Sequence, residues 1–491
     1  MTRYRIPIAI ALFFLPIIAR LLWFHQGIFW RVTPVATPDY ASQTIPKPPL
    51  STPIPDGETA VAASSSIILL DESHNNWFSP TEIDSLTGIL NARNARVEVV
   101  SSGGYQDRDL SEQLKYATAY ITICPTESFS LEETQMLQSF VARGGRLLVL
   151  TDPTRSSLAS DFYGSDPTSG ADDVNAANSL LAPFDIAFVD DYLYNMTENE
   201  GNFRNVVFQT FSDDAFTNGF GKIVLYAAHS VQTRTGVLIM TGSAKMLSSR
   251  TDTGDELSAG AIDSGNRVLA IGDMTFLQPP YNQVADNPVL IRHMADFLLE
   301  AERAPTLAEF PFLFQKPVSI VPLKDVDLDA DLLGPINALQ EELAVAGITT
   351  RLAPSPREGE DLILLGTYSS DGIEDYLQTL GITLPSVNQD EGPRIQIPGF
   401  GGVKPNGTGL ILLVREKART TLLLLAVDTD SLTSLMDVIG PIGFSDCILQ
   451  GDVAVCGIGS ASGGYDNSWW NPTEDTSGMT PTPAPIDLAD G

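Results

Sequence analysis

Between about residues 66 and 302 short apolar runs alternate with helix-start signals and amphipathic stretches. The apolar runs are SIILLD, VEVVS, AYITIC, RLLVLTD and NRVLAIGD. They are too short for buried helices and mostly lack polar alternation, as expected of strands covered on both faces. After the first run, Ser79-Pro80-Thr81-Glu82 offers an N-cap, a proline at the first helical position and a glutamate at the third, with Ile83, Leu86 and Leu90 at helical spacing. Ser130-Leu131-Glu132-Glu133 is a second capping box, followed by Leu137, Phe140 and Val141 on one face and by Gly144-Gly145 as a stop. Asn287-Pro288 caps a closing helix in which Leu290, Met294, Phe297 and Leu298 face inward. Strands alternating with such helices predict a mostly parallel α/β sheet.

A second, smaller α/β domain of mixed strand direction is expected over residues 316–459, after a linker at 303–315. Its strands are PVSIVPL, ITTRL, DLILLG, IQIPGF, GLILLV and TLLLLAVD, with helices near Pro335–Ala346 and Ser431–Ile439. CILQ and VAVC flank a Gly451-Asp452 turn, so Cys447 and Cys456 can face each other across a hairpin. A bridge there needs an oxidising compartment. Two buried free thiols are the alternative.

The N-terminus carries a different signal. Arg3 and Arg5 precede a stretch from Ile6 to Phe24 that is apolar except for Arg20. As a helix it would span roughly 28 Å at about 1.5 Å per residue, close to a bilayer core. Trp23, Phe24, Phe29 and Trp30 form an aromatic belt at its distal end. Residues 1–32 therefore read as an uncleaved signal anchor, N-terminus cytoplasmic and the bulk of the chain extracytoplasmic. A cleaved signal peptide is the competing reading, but no small-x-small site follows. Residues 33–65 are rich in Pro, Thr, Ser and Ala and are expected to be an extended linker, and residues 460–491 a disordered acidic tail.

Across 491 residues, 29 Lys and Arg face 61 Asp and Glu, a net charge of −32. Phosphate binding needs clustered cations, so nucleic acid is excluded as a partner. The expected partners are the bilayer, through residues 6–24, and a glycan, peptide or envelope protein.

In an open parallel sheet, ligands bind beyond the carboxyl ends of the strands. The residues placed there are Asp71, Glu72, His74, Asn75 and Asn76 after the first strand, Asp152 after RLLVL and Asp273 after RVLAI. They form the candidate ligand site, with chemistry suited to a sugar, a peptide or a divalent cation. Asp and Asn also serve turns and caps at such places. Catalytic templates are not met. No G-x-S-x-G elbow is present, and Cys124 precedes Pro125 rather than a glycine turn. PGFGGVKPNG fits neither phosphate-binding glycine pattern and reads as a turn. Asp325, Asp327, Asp329 and Asp331 alternate without the Gly and Glu of a calcium loop. No catalytic residue, cofactor or defined metal site is assigned.

ILLDESHNNWFSPTEI, LQSFVARGGRLLVLTDP, NSLLAPFDIAFVDDYLYN and VLAIGDMTFLQPPYNQVADNPVLIRHMADFL occur in an order that resembles the "domain of unknown function 4350" family. That family lies among GldG-like and intraflagellar-transport-like relatives of the class I glutamine amidotransferases. The resemblance covers residues 66–302 and implies a flavodoxin-like sheet. It does not bring amidotransferase activity, because the nucleophile elbow is missing. The expectation is a non-catalytic, membrane-anchored binding or scaffold protein of the cell envelope. The alternatives are an envelope glycan hydrolase using strand-end carboxylates, and an accessory subunit of a transporter-type assembly.

Overall fold

The computed structural model describes residues 5–24, 66–101, 109–155, 173–250, 257–384, 394–416, 419–440, 443–444 and 447–458. The expected linker at 33–65 and tail at 460–491 lie outside the described residues. The chain divides into two units, residues 1–50 and 51–491.

In the first unit, Arg5–Phe24 is a helix whose side chains, where described, are exposed. Among the described residues no helix is long and apolar enough to cross a membrane.

Among the described residues the second unit holds two large sheets and four two-stranded ones, and Ile395–Ile397, expected in the second large sheet, pairs instead with Gly401–Val403 in one of the small ones. In the first large sheet, five parallel strands lie in the order Ala95–Val100, Ser66–Asp71, Ala119–Ile123, Arg146–Leu150 and Val268–Ile271. This is a doubly wound order, with its switch between the first and third strands in sequence. Alternate residues of each strand enter opposite cores: Ile68 and Leu70 lie under helices Asp84–Ala92 and Asn287–Leu299, and Leu69 under Leu131–Ala142 and Asp173–Leu181. Burial on both faces is why the sequence shows unbroken apolar runs there.

Past Val268–Ile271 the sheet turns antiparallel, through Ser258–Ile262, Val231–Thr233 and Ile186–Phe188, with Val237–Thr241 and Thr210–Phe211 branching off. The expected mostly parallel sheet is therefore half of a ten-stranded mixed one. These added strands run two to five residues, too short for a periodicity signal.

The helix signals behave as their chemistry dictates. Ser130 Oγ accepts from the Glu133 amide at 3.2 Å, and Glu133 Oε2 accepts from the Ser130 amide at 2.8 Å. Gly144 has φ +98°, and a Cβ there would meet the Glu302 carbonyl oxygen at 2.0 Å, so the chain can turn only with glycine. Pro80–Glu82 is a single 3-10 turn, and the α-helix begins at Asp84. Asn287 does not cap its helix: its amide instead brackets Val224, accepting from the nitrogen at 3.0 Å and donating to the oxygen at 2.9 Å.

The second sheet has seven strands, in the order Thr350–Leu352, Val318–Pro322, Asp361–Thr367, Thr420–Ala426, Thr408–Arg415, Val453–Gly457 and Cys447–Gln450. The first four run parallel and the rest antiparallel. Its first helix starts at Ala330, five residues before Pro335, because Asp329 caps it by accepting from the Asp331 and Leu332 amides. Asp325 accepts from Thr367 and Ser370, so the alternating aspartates brace a loop and cap a helix. The stretch 303–315, expected as a linker, drives Leu307, Phe310, Leu313 and Phe314 into the second core. Cys447 and Cys456 are register partners across the hairpin and are joined by a disulfide.

Candidate functional site

The first strand ends on Asp71, which is fully buried. Its carboxylate accepts from the Ser73 hydroxyl at 2.7 Å and the Thr122 hydroxyl at 2.8 Å, and both its oxygens stand 3.0 Å from His74 Nδ1. The Asn76 amide sits at 3.4 Å from Asp71 Oδ2 and donates to the Ile123 carbonyl at 3.0 Å. His74 stacks on Phe129, ring centroids 3.6 Å apart, and turns Nε2 toward Glu133 Oε1 at 3.7 Å. One buried imidazole thus stands between two carboxylates. Burial pushes the Asp71 carboxyl up, but the His74 hydrogen bond and charge, with the Ser73 and Thr122 hydroxyls, outweigh it and hold it below its ordinary value. Burial pushes His74 down, and Asp71 and Glu133 together raise it above the ordinary imidazole value. The Tyr120 hydroxyl is buried beside this group with no hydrogen-bond partner among the described residues. Burial and the nearby Asp71 and Glu133 charges keep it protonated.

Glu72 and Asn75 do not join this network. Both are exposed. Asn75 has φ +50° and donates to Thr126 Oγ1 at 3.0 Å, the role of a turn residue.

Asp152 and Asp273 belong to a second network. Asp152 accepts from the Thr154 hydroxyl at 2.6 Å and the Thr275 hydroxyl at 2.8 Å. Asp273 accepts from the Tyr226 and Thr275 amides, each at 2.7 Å. Burial and the Asp152 charge push Asp273 well above its ordinary value, and the two amides only partly offset them. Asp173 accepts from the Asp152 amide at 3.2 Å, and its Oδ1 lies 3.7 Å from His229 Nε2. Burial lowers the basicity of His229, but Asp173 and Asp191 raise it on balance.

Cys124 closes the third strand, buried, with φ +44°. Cys124 thus makes a left-handed turn, which Pro125 in place of a glycine had spoken against. Burial, with the Asp152 and Asp173 charges, pushes the Cys124 thiol far above its ordinary value.

The seven sequence-derived residues therefore divide three ways: a buried Asp71–His74–Asn76 network, a buried Asp152–Asp273 network, and the exposed turn residues Glu72 and Asn75. Among the described residues no group of three or more His, Cys, Asp or Glu side chains could hold a metal ion. The described cavities lie elsewhere. Sequence reasoning missed Tyr120, Thr122, Asp173 and His229. Glu133 was legible only as a capping residue, while its second oxygen serves His74.

Fold and site together define an α/β protein whose strand ends are filled by its own side chains. No family model matches the chain, and no curated protein matches it. Among solved structures it is similar to the mmIFT52 N-terminal domain, at 15% identity and TM-score 0.37, covering 47% of this chain and 97% of that one. It is similar to a ThuA-like protein from Bacteroides uniformis at 10% identity and TM-score 0.31, covering 49% and 94%. The glutaminase domain of Trypanosoma brucei CTPS matches at 9% identity and TM-score 0.25, covering 49% and 96%.

Proposed function

We propose that this chain is a non-catalytic binding or scaffold protein, anchored to a membrane by residues 6–24 and holding its body outside the cytoplasm. The observation that supports a non-catalytic reading is the state of the strand-end carboxylates. Of the four candidate carboxylates, Asp71, Asp152 and Asp273 are fully buried and satisfied by internal donors, and Glu72 alone is exposed. A glycosidase needs its two carboxyl groups open to a sugar on either side of the scissile bond. The anchor rests on the apolar run before Phe24 and on its flanking arginines. The finer fold reading is a flavodoxin-like domain of the amidotransferase-like kind, akin to the domain of unknown function 4350 family. The order of the five parallel strands supports it.

Two measurements test this. The full chain should stay in the membrane pellet after carbonate washing, and a form lacking residues 1–24 should not; a full chain released by carbonate would overturn the anchor. The detergent-solubilised chain should release no reducing ends from envelope glycans. Release that Glu72→Gln or Asp71→Asn abolishes would establish the hydrolase instead.

A further inference from the structure

A groove of about 670 Å³ lies at the amino-terminal edge of both sheets, opposite the strand ends described above. Its walls include Ile67, Arg96, Thr118, Pro317 and Thr349, which begin or immediately precede parallel strands. Its charge runs against the rest of the chain. The lining carries four cations, Arg96, Lys115, Arg303 and Lys316, and one acid, Glu98, whereas the whole sequence has 29 Lys and Arg against 61 Asp and Glu. Three of the four engage carboxylates already, Arg96 with Glu98, Lys115 with Glu112 at 2.7 Å and Arg303 with Glu309, and Lys316 is also engaged. Arg96 is 65% exposed, so its partner is exchangeable. Tyr116 and Phe312, rings 5.2 Å apart, supply an aromatic wall.

The groove also reaches two edge strands, the first through Arg96 and Glu98 and the second at Thr349, just before it begins. Ala95–Val100 ends the first sheet and Thr350–Leu352 ends the second, each with one strand neighbour among the described residues. Val99 and Leu352 are exposed on these edges. An edge strand leaves backbone donors and acceptors open to another chain, and only a polypeptide can complete that ladder.

We propose that the groove binds an acidic segment of a partner protein in extended form. Its backbone adds to the Ala95–Val100 edge, and its carboxylates meet Arg96, Lys115 and Lys316. The inference deepens the binding-protein reading and rests on it. A net charge of −32 repels polyanions at long range, so recognition depends on short-range pairing inside the groove, where backbone and carboxylate act together.

The test uses the full chain in detergent and three fluorescein-labelled decapeptides: alternating Glu-Val, alternating Gln-Val, and Glu-Val methylated on alternate backbone nitrogens. Anisotropy should show that Glu-Val binds and the other two bind at least tenfold more weakly. Arg96→Glu with Lys316→Glu should weaken Glu-Val at least tenfold, while Lys245→Glu, on another surface, leaves it unchanged. Equal binding of the methylated peptide would overturn strand addition. Unchanged binding by the double variant would overturn the site, as would a double variant whose only change is self-association, which would make these cations edge guards. A wild type that dimerises with concentration and resists displacement by Glu-Val would assign the groove to a second copy. Loss of the inference in any of these ways leaves the membrane-retention and glycan assays, and the reading they test, standing.

Discussion

At the scale of single residues, the strand ends are governed by who shields whom. Asp71 keeps its charge at full burial because an imidazole and two hydroxyls face it. The raised His74 value contributes stability fully below its unfolded value of 6.5, and the contribution is lost as pH rises through the higher folded value. The lowered Asp71 value contributes above 3.8, and that part is lost as pH falls through the lower folded value. The pair is therefore worth most between those two unfolded values. His74→Phe, which keeps the stack on Phe129, should cost about 1–3 kcal/mol in that window and less at pH 9. Denaturant midpoints across pH measure this, and a cost independent of pH would show that packing alone is at stake. Cys124 gives a second prediction. Its buried, up-shifted thiol should resist alkylation in the native chain at pH 8 and react only after unfolding, as read by mass spectrometry. Rapid native labelling would mean that the left-handed turn exposes it.

At the scale of elements, the junction between the two sheets is held by charge as well as by apolar packing. Glu309 accepts from Arg143 at 2.9 Å and also pairs with Arg303. Arg303 donates to the carbonyls of Lys115 and Ala117 and lies over the Phe140 ring. Glu309→Ala would leave two guanidinium groups facing each other without an acid, one of them nearly buried. Breaking a buried pair from one side costs about 3–5 kcal/mol. The variant should therefore unfold at clearly lower denaturant, and Glu309→Gln should recover part of the loss. Equal midpoints for Glu309→Ala and wild type would mean that Leu307, Phe310 and Phe314 hold the junction unaided.

At the scale of the whole molecule, the hairpin bridge links fold to compartment. Cys447 lies on the outermost strand of the second sheet, tied to Cys456 on its neighbour. Cys447→Ser should lower stability by about 2 kcal/mol, since the closed loop is short. In material from intact cells, denatured without reductant, Cys124 should be the only cysteine that alkylates. Alkylation of Cys447 and Cys456 as well would count against an extracytoplasmic body.

How much of this was legible depended on whether a signal was local. The five parallel strands, the capping box at Ser130–Glu133, the glycine stop at Gly144 and the Cys447–Cys456 pairing each rest on residues close in sequence whose chemistry acts over one turn or one hairpin. The antiparallel extension was not legible, because strands of two to five residues leave no period to detect. The start of the helix at Ala330 was missed because Pro335 is the stronger local mark. At the site, the sequence by itself determined which residues stand at the strand ends. Only the tertiary structure decided that His74 and Thr122 would turn inward on Asp71, that Thr275 would bridge Asp152 and Asp273, and that a basic groove would form at the far edge. Those outcomes depend on bringing together segments far apart in sequence, as where Ile67 and Arg96 line one groove with Phe312, Lys316 and Thr349. No local pattern encodes them, because burial and pairing are properties of the packed chain.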